Sequence, residues 1–241
     1  VHGKKEIQGV VQMLPDRLML TRKTGEPADY QSLFVDTGLP SRELENLVTV
    51  GDIISFSQKP LSFGGGYIAG HSLDNRASVA ALTVCLQELR NVNLQWDVWA
   101  TATVQEELHT IGGYTSTFQI QPSLGIAVDV TFAKGPGSND HQTFPLGKGI
   151  TIGIGANNHP GLQNHFTRLA NDLDIPYSLE TMPRSSGTDG MAMKITAAGV
   201  PTIVLGIPIR YMHTPVELTG IQDIKRTGRL LARFISELEA D

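Results

Sequence analysis

The alternation of apolar and polar positions changes period near residue 63. Before it, short apolar runs at Gly9–Val11, Arg17–Leu20, Ser32–Asp36 and Asp52–Phe56 are separated by turn residues such as Pro15-Asp16, Thr24-Gly25 and Val50-Gly51-Asp52. That punctuation predicts short strands. Ser41–Leu47 predicts one short helix among them, with Ser41 as its N-cap. The stretch Phe63-Gly64-Gly65-Gly66-Tyr67 then marks a boundary. Beyond it, apolar residues recur at helical spacing over Arg76–Arg90 (Val79, Leu82, Leu86, Leu89), Pro160–Leu173 (Leu162, Phe166, Leu169, Leu173) and Ile221–Leu238 (Ile224, Leu231, Phe234, Leu238). Between these lie β-branched and apolar runs at Trp96–Val104, Leu124–Val130, Ile150–Ile154 and Pro201–Ile207. The alternation predicts an α/β domain over 62–241, a mostly parallel central sheet with helices on both faces. A small β-rich domain over 1–61 is expected to precede it.

Composition narrows the function classes. The 241 residues carry a formal charge of −5 and no run of Lys or Arg, which argues against a nucleic-acid partner. No stretch approaches the roughly 20 apolar residues of a membrane span. Cys85 is the only cysteine, so no internal disulfide can form; a reducing, cytoplasmic compartment is the simpler expectation. Its apolar helical surroundings predict a buried core thiol rather than a nucleophile.

Five residues at the edges of apolar segments carry candidate chemistry. Glu106 and Glu107 follow the Trp96 strand, Asp129 ends the Leu124 strand, Asp74 precedes the Arg76 helix, and His213 follows the Pro201 strand. Each has an ordinary reading alone: Asp74 as a helix N-cap, the Glu pair as a solvated loop, Asp129 as a strand end, His213 as a structural histidine. Strand ends of a parallel sheet share one edge, so the five can converge there. Three carboxylates and an imidazole suit zinc, cobalt or manganese, and leave one carboxylate free as general base.

Six blocks occur in order: Leu73-Asp74-Asn75-Arg76; Thr103-Val104-Gln105-Glu106-Glu107; Ala127-Val128-Asp129-Val130-Thr131; Leu146-Gly147-Lys148-Gly149; Gly187-Thr188-Asp189; and Gly199-Val200-Pro201-Thr202 with Pro208-Ile209-Arg210-Tyr211-Met212-His213. From about residue 50 to the end the chain thereby resembles the M42 metallo-aminopeptidases, the group of glutamyl aminopeptidases and tetrahedral self-compartmentalising aminopeptidases. The resemblance implies release of N-terminal residues from short peptides by a metal-activated water, with two divalent ions. It makes Asp74 the bridging ligand, Glu107 and His213 ligands of one ion, Asp129 a ligand of the other, and Glu106 the catalytic base. It places Thr188 and Asp189 along the substrate pocket; a free carboxylate there, with Asp189 as candidate, could hold the substrate's α-ammonium. Arg76 is expected to hold nearby carboxylates. The β-rich start resembles part of the family's dimerisation domain, which implies a homo-oligomer, a dimer or dodecamer.

Two departures qualify this. The run after the Glu pair is Leu108-His109-Thr110-Ile111-Gly112-Gly113, which sets His109 near the site. The family's first metal ligand is the His of an upstream His-x-Asp, and none of the seven histidines here precedes Asp by two positions. One metal site is therefore expected to be incomplete, through an N-terminal segment lying outside this sequence or a substitute such as His71. The alternatives are an inactive assembly subunit of the same fold, and a glycoside hydrolase using Glu106 with Asp129.

Overall fold

The computed structural model describes residues 1–15 and 29–239. The expected strand Arg17–Leu20 and the turns at Asp16 and Thr24-Gly25 lie outside the described residues. The chain divides into two compact units, Val1–Ser57 and Gln58–Asp241.

In the first unit, β1 (Val10–Met13) pairs antiparallel with β2 (Leu33–Asp36), Val10 opposite Asp36 and Met13 opposite Leu33. Helix α1 is a single turn, Ser41–Leu44, and its N-cap is Pro40 rather than Ser41. Proline's fixed φ and extended ψ set the entry there, and no side chain caps the turn. The expected strand at 52–56 reduces to one bridge between Ile53 and His2.

The second unit is built on a seven-stranded sheet of β3 (Leu61–Phe63), β4 (Tyr67–Gly70), β5 (Gly125–Phe132), β6 (Ile150–Ile154), β7 (Tyr177–Thr181), β8 (Thr202–Arg210) and β9 (Glu217–Gly220). Its order is β3-β4-β9-β8-β6-β7, with β5 on β8. The sheet is mixed, not mostly parallel. Only β5–β8 and β6–β7 run parallel, whereas β3–β4, β4–β9, β9–β8 and β8–β6 are antiparallel. The correction has a simple cause. Loops of three and six residues join β3 to β4 and β8 to β9, and so short a connection can only reverse the chain.

Helices cover both faces. On one, α2 (Leu73–Leu89), α4 (Pro160–Asp172) and α6 (Ile221–Ser236) bury Cys85, Phe166, Leu169, Leu231 and Phe234 against Ile152, Ile203 and Leu205. On the other, Met193 of α5 (Asp189–Ile195) packs on Ala127, Met182 and Val204. Helix α3 is Ile111–Ile120. The Cys85 thiol is buried, which raises its pKa to about 11, as a core role requires.

Two expectations fail in one place. Trp96–Val104 is not a strand; a strand persists only where a neighbour accepts its main-chain bonds, and no strand flanks this run among the described residues. Helix α2 buries Ala77, Ser78, Ala81 and Cys85, while Val79 and Leu86 remain about half exposed. No described helix is long and apolar enough to cross a membrane.

Candidate metal centre

The polypeptide brings Asp74, Glu107 and His213 together from the start of α2, the loop after the 96–104 run and the β8–β9 loop. One donor atom of each lies within 4.8 Å of the others. The His213 Nε2 stands 3.3 Å from Asp74 Oδ2 and 3.6 Å from Glu107 Oε2. Asp74 does not cap α2. Ser72 occupies the N-cap, and Asp74 has a non-helical backbone (φ −80°, ψ 100°) that turns it out of the helix.

Glu217 was not singled out in the sequence, yet it builds the centre. It is buried, and its two carboxylate oxygens accept the backbone N–H groups of Asp74, at 3.0 Å, and His213, at 3.1 Å. The one available signal was a lone Glu at the head of the otherwise uncharged β9 segment, four residues after His213.

Negative charge is concentrated here. Burial, then the Glu107 and Glu217 charges, raises Asp74 to about 6 against the opposing pull of His213. Burial, then Glu107, Asp189 and Asp74, raises Glu106 to about 7. Asp129 is buried and pushed up to about 8, mainly by desolvation, although the Val130 N–H opposes the shift. Like charges held at this density in a partly dry site call for a cation.

A match to the model of the M42 glutamyl aminopeptidases spans residues 1–230. The chain belongs to the M42 family. Among curated relatives, a lysyl aminopeptidase of Pyrococcus furiosus is 36% identical over 239 residues, which is 98% of this chain and 68% of that protein. Among solved structures, a TET aminopeptidase from a marine sediment archaeon of the Thaumarchaeota superposes with a TM-score of 0.89 at 24% identity, covering 98% of this chain and 68% of that one. A Pyrococcus horikoshii TET1 peptidase, described as assembling into a tetrahedron or a large octahedral shell, gives 0.80 at 25% identity, with 96% and 69% covered. The chain thus spans about two thirds of the length of these M42 relatives. Relatives named as aminopeptidases do not favour the reading of an inactive assembly subunit.

The remaining sequence candidates divide. Asp129 is outside the group of three; its Oδ1 accepts Asn75 Nδ2 at 2.7 Å and the Val130 N–H at 2.8 Å. Asp189 Oδ2 accepts the Thr103 hydroxyl at 2.6 Å, while its buried Oδ1 has no partner. A Cβ on Gly113 would fall 2.4 Å from that Oδ1, so only glycine lets α3 approach so closely. Thr188 is the N-cap of α5 and accepts the Gly190 N–H at 3.2 Å. Arg76 departs from expectation. Its guanidinium donates to the carbonyls of Ser72 and His71 rather than to carboxylates, because those carbonyls sit at the helix start directly beneath it. His71 pairs with the Ser72 hydroxyl. Neither His71 nor His109 joins a group of metal-ligating side chains among the described residues.

Proposed function

We propose that the chain is the metal-binding catalytic part of an aminopeptidase releasing N-terminal residues from short peptides. The observation that carries this is the donor set of Asp74, Glu107 and His213 beside a non-ligating carboxyl, Glu106, in an M42 chain. One imidazole and two carboxylates within mutual reach fit zinc, cobalt or manganese. A divalent ion held there would polarise the scissile carbonyl and acidify the attacking water.

The protein's own residues supply the rest. Glu106 takes the proton of the attacking water and passes it to the leaving amine. Its raised affinity for a proton, near neutrality, suits both transfers. Glu217 fixes the main chain of Asp74 and His213, so the imidazole and the carboxylate are set before substrate arrives. Asp129, beside Asp74 in the sequence pattern of the family, would help hold a second divalent ion. Asp189, whose Oδ2 is held by the Thr103 hydroxyl, is the carboxylate assigned to the α-ammonium of the substrate, which would confine attack to free N-termini. The active form is an oligomer, in keeping with the assembly described for the TET1 peptidase, and the single cysteine suits a reducing, cytoplasmic compartment.

Hydrolysis of aminoacyl anilides tests the reading. Activity that chelator abolishes and zinc, cobalt or manganese restores supports it. Chelator-resistant cleavage of a polysaccharide would instead support the glycosidase pairing of Glu106 with Asp129.

A further inference from the structure

Glu180 of β7 stands outside the group of metal-ligating side chains, yet its carboxylate shares a face of the sheet with Asp129. Alternate residues of a strand lie on one face, so Asp129 and Thr131 of β5 go with Ala127, which packs with Met182, Val204 and Met193 of α5. Glu180 Oε1 accepts the Thr131 hydroxyl at 2.8 Å, and its Oε2 accepts the Thr151 hydroxyl at 2.7 Å. Both threonines are buried. Burial raises the pKa of Glu180, and the Thr151 and Thr131 hydroxyls oppose the rise.

The strands joined by these bonds are not neighbours. The order β7-β6-β8-β5 puts two strands between β7 and β5. In a flat sheet three spacings of about 4.8 Å would hold them about 14 Å apart. The bond from Thr131 to Glu180 is therefore a chord across the curl of the sheet. Strand β8 leaves room for it. Gly206 lies opposite Asp129 on one side and Thr151 on the other. A Cβ there would collide with Thr151 Oγ1 and stand 3.2 Å from Glu180 Oε2, so a side chain at 206 would push the carboxylate away.

The tied strands carry two flanks of the candidate site. Strand β5 carries Asp129, whose Oδ1 accepts the Asn75 amide at 2.7 Å. Strand β7 leads through residues 182–188 into α5, with Thr188 as its N-cap and Asp189 as its first residue. We propose that Glu180 is a positioning residue, which sets Asp129 relative to the segment bearing Asp189 by tying Thr131 to β7 across β8 and β6. Packing alone does not call for a carboxylate here, because burying one costs more than burying an apolar side chain. A satisfied polar network instead specifies one arrangement. The role rests on the reading in which Asp129 and Asp189 flank the reaction, but its test reads side chains in the metal-free protein.

The Asn75 side-chain amide reports where the Asp129 carboxylate stands, and nuclear magnetic resonance of the metal-free 241-residue chain follows its hydrogen exchange. Thr131→Val and Thr151→Val each leave one oxygen of the same carboxylate unpaired, so they share that general cost. Thr131→Val and Glu180→Gln should each speed exchange of the Asn75 amide by about fivefold or more, and Thr151→Val by less than about twofold. The double variant Thr131→Val/Glu180→Gln should do no more than either change alone, as for two ends of one interaction. Equal effects of the two threonine variants, no effect of Glu180→Gln, or additive effects in the double variant overturn the proposal. Zinc titration tests the underlying reading separately. A second equivalent that Glu180→Gln weakens about 10- to 100-fold supports both, and one that Glu180→Gln binds equally well overturns the positioning role. Uptake of a single equivalent by the unaltered chain contradicts the metal role of Asp129, and the amide exchange then decides the positioning role by itself.

Discussion

Glu217 holds Asp74 across 143 residues of sequence, through a 3.0 Å hydrogen bond from the Asp74 N–H to its carboxylate. The other oxygen of the same carboxylate holds the N–H of His213. One buried side chain thereby sets the separation of two donor groups that come from opposite ends of the catalytic unit. Glu217→Gln keeps the volume but replaces one acceptor oxygen with a donor amide. Zinc affinity should fall about 10- to 100-fold, the usual effect of losing an outer partner of a metal ligand. A competition titration against a chromophoric chelator measures it, and activity at saturating zinc should recover substantially.

The proposed role of Glu106 separates chemistry from metal binding. Glu106→Gln should lower kcat about 10²- to 10⁴-fold, the range for a lost acid–base group, while zinc affinity stays essentially unchanged. A base of the proposed kind works as its carboxylate, so the rate should fall as pH drops through its pKa. That pKa is raised to about 7 by burial and by the charges of Glu107, Asp189 and Asp74. Bound divalent charge favours the carboxylate, so the acid limb of kcat/KM in the loaded protein should lie below about 7. A pH–rate profile of the loaded protein checks this.

Asp129 makes metal-free stability depend on pH. Its carboxyl, mainly through burial, is raised to about 8, against an ordinary value of about 3.9 in the unfolded chain. Between these values the folded state binds more protons than the unfolded state, so stability falls as pH rises and levels off above about 8. At pH 7 the loss is bounded by about 4 kcal/mol, from about 1.36 kcal/mol per unit. Urea midpoints in chelator should therefore decline from about pH 5 to about pH 8, and Asp129→Asn should flatten the decline.

Gly228 tests the packing beneath the site. A Cβ there would stand 2.5 Å from Ala81 O and 2.6 Å from Val84 Cβ, so the main chain of α6 meets both main chain and side chain of α2 at this point. Gly228→Val should destabilise by about 1–3 kcal/mol or more through overpacking, despite removing a helical glycine. Denaturant unfolding of the two proteins measures the difference.

The helices over 160–173 and 221–238 were legible because their apolar residues keep one period and one face, and Phe166, Leu169, Leu231 and Phe234 are buried as that face requires. The strand at Ile150–Ile154 was legible as a short apolar run between turn residues. Sheet direction was not, because the antiparallel returns through β4 and β9 are four-residue segments with no period to read. At the site, the ordered motif blocks marked Asp74, Glu107 and His213 as one set. Glu217 was illegible because its role is to accept main-chain hydrogen bonds, and backbone partners have no sequence of their own. The run Trp96–Val104 was read from composition as a strand. Composition reports what a segment can pair with, not whether a partner strand stands beside it.

The most direct test of the account is a zinc titration of the 241-residue chain beside its His213→Ala variant, with a competing chromophoric chelator reporting free metal. The account predicts saturable binding by the first and loss of that binding in the second, with Ala replacing the only imidazole of the three-residue group. Equal zinc affinity in the two proteins would contradict it.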